Sequence, residues 1–344
     1  MKACFTPTNH NYPPLDSRAF PDYEPFGIKD MVDNYSDATR LLYRYSRPDA
    51  RPFNITASRQ CPFTCTFCIH EHRDIKYRAR SIPNIMAEIK QMYEQYHFNV
   101  LIILDELFAV SKGRLRDFSE AVIQGRHDFG WDFDWMFQTH ASARFDKEVL
   151  ALAKKAGCYL FSYGLESASP TILKSMNKKT KPEQIIEALK LAEEAGIEFC
   201  GNLIFGDPAE TPETICESVA FFAKYCDKAM IFTGFVMPYP GSKLFDDLVA
   251  NGTIKDKAAY YENIGKGGMY NMTRMPNTVF SSWMTFLRYI DSSWCWVKTT
   301  KAGSVVEDQE VTRMSAYFKQ KIYRIEANCP YCEAKIMYRN AIPP

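Results

Sequence analysis

The sequence predicts an α/β protein in which six strand–helix units in series form a parallel sheet. Short apolar runs alternate along the chain with segments whose apolar residues recur at helical spacing. The run 100–104 is continuously apolar, which is typical of a parallel strand buried on both faces. The chain has 344 residues and is 46% hydrophobic, so a sizeable core is available.

The six predicted strands cover residues 53–57, 100–104, 133–138, 159–163, 199–205 and 229–236. The first of them lies directly before a cysteine-rich loop. Parallel strands joined by right-handed crossovers bring all their carboxyl ends to one edge of the sheet. Reactive groups of such sheets gather at that edge, so we expect the functional residues there.

Helices are predicted between these strands from apolar spacing and end signals. The periodic segments lie at 85–96, 115–124, 149–156, 185–192 and 215–222. Ser81 is the expected N-cap of the first, with Pro83 in its first turn. Gly196 is expected to end the helix over 185–192.

Three regions are expected along the chain. Residues 1–50 form an N-terminal extension, 51–250 the α/β core, and 251–344 a mainly helical region that caps the core or binds substrate. The aromatic residues of the last region fall near helical spacing, a pattern more often found in a core than in a substrate site. They are Trp283, Phe286, Tyr289, Trp294 and Trp296.

Charge and cysteine content narrow the class of protein. The 42 basic and 41 acidic residues give a net charge of +1, which does not favour nucleic-acid binding. No apolar run is long enough to span a bilayer, and the N-terminus lacks the apolar stretch of a signal peptide. The 11 cysteines are therefore expected to be thiols and metal ligands in a reducing cytoplasm.

Cys61, Cys65 and Cys68 lie on one short loop with C-x3-C-x2-C spacing. Thiolates at this density suit an iron–sulfur cluster. Three ligands for a four-iron cluster leave one iron without a protein ligand, and an open position indicates chemistry rather than a structural role. The alternatives are a zinc loop and three unrelated buried cysteines.

This loop, with Phe67 before its last cysteine, resembles the signature of the radical S-adenosylmethionine (radical SAM) superfamily. The resemblance implies a partial (β/α)6 barrel, a 4Fe–4S cluster on Cys61, Cys65 and Cys68, and SAM as the second cofactor. It also implies that Phe67 packs beside the SAM adenine. An electron donor such as flavodoxin or ferredoxin and a small-molecule substrate are the implied partners.

Residues after the strands extend the resemblance over about residues 51–250. Asp105 and Glu106 are placed to meet the SAM ammonium, although acids at a helix N-terminus would look the same. Arg144 matches an arginine often near the SAM carboxylate. His140 either lines the pocket or is a satisfied polar residue.

The later strands carry the expected ribose and adenine contacts. Glu166 and Ser167 belong to a Gly-x-Glu-Ser motif that resembles the ribose motif, and Gly201 and Asn202 begin an adenine-side motif. The motif style is closest to the cobalamin-type, chlorophyll-cyclase-like branch. We expect no cobalamin-binding domain in this chain. Ala209 departs from the glycine usual in the adenine-side motif.

Several polar residues leave two interpretations open. His70 and His72 are either cluster ligands or polar loop residues, and Arg78 and Arg80 either face bound anions or form a surface stripe.

Three cysteines of the C-terminal region are also open. Cys329 and Cys332 form a metal site completed by Cys295 or Cys4, a second iron–sulfur cluster, a redox dithiol, or no site at all. By resemblance to radical SAM epimerases, Cys295 or Cys329 is a candidate catalytic thiol that returns a hydrogen atom to a substrate radical.

The predicted function is hydrogen abstraction from a small organic substrate by a SAM-derived radical. Epimerisation, dehydrogenation, rearrangement and sulfur insertion remain open as outcomes. One alternative is a methylthiotransferase-like enzyme with a second metal cluster. Another is a non-catalytic zinc-binding interaction protein.

Overall fold

The computed structural model describes residues 12–34, 49–69, 76–226, 230–264 and 270–287, and three later strands between residues 306 and 341. The strands are β1 (Pro52–Ile55), β2 (Ser58–Arg59), β3 (Arg78–Ala79), β4 (Val100–Ile103), β5 (Asp134–Thr139), β6 (Cys158–Glu166), β7 (Glu198–Phe205), β8 (Met230–Phe235), β9 (Val306–Met314), β10 (Lys321–Asn328) and β11 (Lys335–Ala341).

Helices follow most strands of the main sheet. They are α1 (Ile28–Asn34), α2 (Ile82–Tyr96), α3 (Lys112–Phe129), α4 (Lys147–Lys155), α5 (Pro170–Ser175), α6 (Pro182–Ala195), α7 (Pro212–Tyr225), α8 (Lys243–Ala250), α9 (Lys257–Ile264) and α10 (277–287). The predicted end signals are confirmed, since Ser81 Oγ accepts from the Asn84 N–H at 3.3 Å and Gly196 ends α6 at φ 65°.

The main sheet has six parallel strands in the order β1-β4-β5-β6-β7-β8. Each strand pairs with its neighbour in sequence among these six, so the chain winds in one direction from edge to edge. All six predicted strands are confirmed, and the α/β fold class with them.

One face of the sheet packs against the helices. Alternate strand residues such as Phe53, Leu101, Trp135 and Phe161 form a large apolar cluster with residues of α2, α3, α4, α6 and α7. The opposite face, called here the inner face, carries a smaller cluster. Its buried residues are Ala50, Val100, Ile102, Met136, Leu160 and Cys200.

Arg78 of β3 and Arg80, directly after β3, both contact the N-terminal extension, and Arg80 also joins it to α2. The Arg80 guanidinium donates to Glu88, which also accepts from the Tyr23 hydroxyl at 3.1 Å, and it lies over the Phe20 ring at 5.4 Å. Arg78 lies over the Tyr12 ring at 4.6 Å. Both open interpretations of these arginines were therefore incomplete, because each one contacts the extension.

The C-terminal region is helical only in part. Helices α8, α9 and α10 fit the expectation, but β9, β10 and β11 form an antiparallel sheet in the order β11-β10-β9. The prediction of a mainly helical region is wrong for these segments. These segments contain β-branched and aromatic residues, which favour strand: Val306, Val311 and Thr312 in β9, Ile322, Tyr323 and Ile325 in β10, and Ile336 and Tyr338 in β11.

Within the described ranges, every helix is too short or too polar to cross a bilayer. The three-region division of the chain stays a prediction.

Candidate active site

The three cysteines of the loop are half-buried free thiols. Burial raises the pKa of Cys61 and of Cys68 to about 11, and the neighbouring thiols and Glu106 add to the effect. Burial also raises the pKa of Cys65, although the Lys178 ammonium opposes the shift. The thiols are thus protonated at neutral pH unless an electrophilic metal displaces the protons.

Backbone hydrogen bonds hold this loop from two sides. The Thr66 N–H donates to the Met176 carbonyl at 3.0 Å, and the Leu244 N–H at the start of α8 donates to the Thr66 carbonyl at 2.8 Å. The Asn177 amide donates to the Thr64 carbonyl and hydroxyl, each at 2.9 Å. The loop is therefore positioned by residues distant in sequence.

Two aromatic residues of the loop pack against different parts of the site. Phe67 packs against a buried cluster that includes Ile172, Met176 and Leu244. The Phe63 ring stacks on His140, with centroids 3.9 Å apart and an interplanar angle of 24°. Burial, with a smaller effect of Lys178, lowers the pKa of His140 to about 3, so its imidazole is neutral under the loop.

A buried ion pair lies beside the loop at the end of β6. Lys178 Nζ donates to Glu166 Oε1 at 2.8 Å, and the side chains are 7% and 11% exposed. Burial alone would lower the pKa of Lys178, but Glu166 and the sulfurs of Cys65 and Cys61 outweigh it and the net shift is upward. The pair thus places a cation next to the thiols.

Gly164 leaves the space that this pair occupies. A Cβ at this position would lie 2.4 Å from Glu166 Oε1 and 2.7 Å from Lys178 Nζ. Sequence reasoning selected Glu166 but missed Lys178, because a lysine in a polar stretch carries no periodic signal of burial.

The two carboxylates after β4 differ in surroundings. Asp105 is buried, and its oxygens accept from the Ala57 N–H and the Ser58 hydroxyl, both at 2.7 Å. Burial raises the pKa of Asp105, while these hydrogen bonds oppose the shift. Glu106 is exposed and close enough to Cys61 and Cys68 to raise the pKa of each thiol. Glu106 is therefore better placed than Asp105 to meet a ligand.

The remaining predicted contacts fall in three places. The Ser167 hydroxyl is buried against that of Ser218 at 3.1 Å. Gly201 allows close approach to β6, since a Cβ there would lie 2.9 Å from the Tyr163 carbonyl oxygen. Asn202 is exposed on the inner face, and Arg144 lines a cavity of about 420 Å³ with residues of α4 and α6. Their roles toward SAM stay predictions.

Two acids of the adenine-side motif serve the fold instead. Asp207 accepts from the Ser175 hydroxyl at 2.6 Å and from the Ala209 N–H at 2.9 Å. Glu210 accepts from the Thr214 hydroxyl and from the Gly206 N–H, and burial raises the pKa of Glu210 to about 7. These contacts fix the turn after β7. The Asp207–Ser175 bond also joins this turn to the end of α5, next to Met176, which holds the cysteine loop.

The donor set suits a four-iron cluster. Within the described ranges no three His, Cys, Asp or Glu side chains gather closely enough to hold one metal ion. A 4Fe–4S cluster asks for a wider arrangement, because each thiolate ligates a different iron. His70, His72, Cys295, Cys329 and Cys332 lie outside the described residues, so their predicted roles are untested.

Comparison with known proteins agrees with this site. Residues 55–222 match the profile of the radical SAM superfamily. The chain is 32% identical over 210 residues to an uncharacterized methyltransferase of Pyrococcus horikoshii, a match that covers 60% of this chain and 44% of the relative. It is 31% identical over 192 residues to the anaerobic magnesium-protoporphyrin IX monomethyl ester cyclase of Rubrivivax gelatinosus, covering 56% of this chain and 34% of the cyclase.

A solved structure supports the fold. The radical SAM methyltransferase TsrM of Kitasatospora setae, with cobalamin and a 4Fe–4S cluster bound, superposes with a TM-score of 0.52 at 20% identity. The superposition covers 59% of this chain and 37% of that protein. Each of these three matches thus spans less than half of the relative.

The sheet, the cysteine loop and the profile match together define a class: this chain carries a radical SAM domain. Its relatives include a methyltransferase and a magnesium-protoporphyrin cyclase, in agreement with the chlorophyll-cyclase-like style of the motifs after the strands. The superfamily consists of enzymes that use a 4Fe–4S cluster and SAM, so the predicted superfamily and cofactors are confirmed.

Proposed function

We propose that this chain generates a 5′-deoxyadenosyl radical from SAM and uses it to abstract hydrogen from a small organic substrate. The observation that carries the proposal is the loop of three half-buried free thiols at the carboxyl edge of a parallel sheet. The cluster and SAM, when bound, supply one-electron cleavage of the SAM sulfonium. The chain supplies binding, orientation and exclusion of water.

The residues around the loop suit these tasks. Cys61, Cys65 and Cys68 hold the cluster, and their raised pKa values mean that cluster binding releases protons. The Lys178 ammonium lies near Cys61 and Cys65, so it is a suitable counter-charge for the carboxylate of SAM. Glu106, near Cys61 and Cys68, is suited to the SAM ammonium.

Removing one ligand tests the proposal. Anaerobic reconstitution of the parent chain should give about four iron atoms per chain and dithionite-dependent 5′-deoxyadenosine. Cys65→Ala should lose most of the iron and all of the deoxyadenosine. Cys216→Ala, which removes an exposed free thiol on α7, should keep both. Unchanged iron binding in Cys65→Ala would overturn the cluster assignment.

Methyl transfer is a second candidate outcome, favoured by similarity to a methyltransferase of Pyrococcus horikoshii. The TsrM methyltransferase that superposes on this fold has cobalamin bound, so the test includes cobalamin. Incorporation of a labelled SAM methyl group into product only when cobalamin is added would favour this outcome. Deoxyadenosine formed in proportion to product without methyl incorporation would favour hydrogen abstraction alone.

Two rivals have different metal contents. About eight iron atoms per chain would favour a methylthiotransferase-like enzyme with a second cluster. Colourless protein with zinc and no iron would favour a zinc-binding interaction protein. Enzymes of this superfamily act on small substrates and need a reductant; a flavodoxin or ferredoxin donor and a cytoplasmic location remain predictions for this chain.

A further inference from the structure

The inner face of the sheet leaves six uncharged side chains open to a ligand. Their neighbours in each strand point the other way, into the apolar cluster under the helices. Leu104 is 51% exposed and Phe232 is 42% exposed, although both are large apolar side chains. The six are Asn54, Leu104, Gln138, Ser162, Asn202 and Phe232, and the space they face is called here the lumen.

Strand register places these residues beside one another. Gln138 pairs with Ser162 across β5 and β6, and Asn202 pairs with Phe232 across β7 and β8. The buried inner-face cluster of Val100, Ile102, Met136 and Leu160 closes the lower end of the lumen. The upper end lies at the carboxyl edge of the sheet, where the cysteine loop is. A molecule in the lumen would therefore face the loop.

As far as the described strands form it, the wall of the lumen is neutral. Charged residues of the inner face lie at its two ends: Asp134 at the start of β5, 3.8 Å from Arg126, and Glu166 paired with Lys178 at the end of β6. Glu198 begins β7 at the lower end. Between these levels, the inward positions of the described strands carry amides, a hydroxyl, the buried Cys200 thiol, apolar side chains and glycine.

The three amides keep unused hydrogen-bonding capacity. Among the contacts within the described ranges, the side chains of Asn54, Gln138 and Asn202 have no protein partner. Each carboxamide offers donors and an acceptor. A charged ligand group buried here would lose its hydration without meeting an opposite charge, which costs more than burying a neutral polar group.

We propose that the lumen binds an uncharged, hydrogen-bonding part of the substrate, carried on an apolar ring or chain. This inference rests on the radical SAM function proposed above. Leu104 and Phe232 would contact the apolar portion, while Gln138 and Asn202 would exchange hydrogen bonds with the polar group. Substrates whose reacting portion is a phosphate, carboxylate or ammonium are not expected.

Three isosteric probes test the preference. Benzamide, benzoate and benzamidine share a ring and differ in charge at pH 7.5. Binding to the anaerobically reconstituted protein with SAM would be measured by equilibrium dialysis. We expect benzamide to bind at least about fivefold more tightly than either ion. Equal or tighter binding of benzoate or benzamidine, or no binding by all three, would overturn the proposal.

Variants that change the charge of the lumen provide a second test. Gln138→Glu adds a carboxylate at nearly constant volume, so benzamidine should become the tightest probe of the three. Gln138 is chosen for the substitution rather than Asn202. Asn202 lies one inward-facing position closer to the carboxyl edge of the sheet and is also a predicted SAM contact. Gln91→Glu, on the exposed side of α2, should keep the parent order. An unchanged order in Gln138→Glu would contradict the proposal.

The same preparations separate the two proposals. Deoxyadenosine formation reports the proposed function, and the order of the probes reports the lumen. A preparation that prefers benzamide but never cleaves SAM would refute the radical function alone. One that cleaves SAM but prefers an ion would refute the neutral lumen alone.

Discussion

At the scale of single residues, Lys178 sets the charge balance beside the cysteine loop. Its ammonium is 2.8 Å from Glu166, and both side chains are nearly buried. A buried charge that loses its partner is strongly destabilising, although a complete pair can be close to neutral. Changes at Lys178 and Glu166 should therefore be strongly non-additive.

Lys178→Met should lower the free energy of unfolding by about 3 kcal/mol, because Glu166 is left buried without its partner. SAM affinity should fall at least about tenfold as the counter-charge is lost. Chemical denaturation and equilibrium dialysis of SAM with reconstituted protein measure the two effects.

Two further variants separate stability from binding in this pair. Lys190→Met removes an exposed lysine of α6 and should change neither quantity. The double variant Lys178→Met/Glu166→Gln should recover most of the stability but not the SAM affinity. If it also recovers the affinity, Lys178 acts only through Glu166.

At the scale of elements, the cysteine loop depends on the turn after α5. Asn177 adopts a left-handed conformation with φ 51°, which asparagine tolerates better than most residues. Its side chain donates two hydrogen bonds to Thr64. One residue therefore shapes the turn and anchors the loop.

Asn177→Gly should separate these two roles, because glycine keeps the left-handed conformation and removes the side chain. We expect a stability loss of about 1 kcal/mol and a severalfold faster release of iron to a chelator. His97→Gly replaces another left-handed residue, at the end of α2, and should leave iron release unchanged. Equal release rates in parent and Asn177→Gly would show that Thr64 needs no anchor.

At the scale of the whole molecule, the sheet could be predicted because its signals are local. Apolar runs such as 100–104 and cap residues such as Ser81 and Gly196 indicate their own local conformation. The cysteine loop was found in the same way, since its spacing is contained in eight residues, 61–68.

Contacts between distant segments could not be predicted. The Lys178–Glu166 pair and the Asn177–Thr64 hydrogen bonds arise only when β6, α5 and the loop come together. Asp105 shows that position alone does not identify a binding partner. Its place after a strand indicated a ligand contact, but its oxygens accept hydrogen bonds from Ala57 and Ser58. Position along a strand thus predicts where a carboxylate lies better than what it binds.

Glu210 should make the stability of the whole fold depend on pH. Burial raises its pKa from 4.5 to about 7, so its contribution is complete below pH 4.5 and is lost as pH rises through 7. His140 has the opposite effect: burial lowers its pKa to about 3, so its contribution to stability is lost as pH falls below 6.5. A comparison of variant with parent removes the His140 effect, because that residue is present in both.

Glu210→Gln cannot ionise, so its stability relative to the parent should increase by about 2 kcal/mol between pH 5 and pH 7.5. Any loss of hydrogen bonding to Gly206 or Thr214 adds an offset that does not vary with pH. Anaerobic denaturant titrations at both pH values measure the difference. Glu120→Gln, on an exposed position of α3, should show no such increase. A difference between Glu210→Gln and parent that stays constant with pH would mean that Glu210 is ionised throughout, and its burial would then need a cation that the described contacts do not supply.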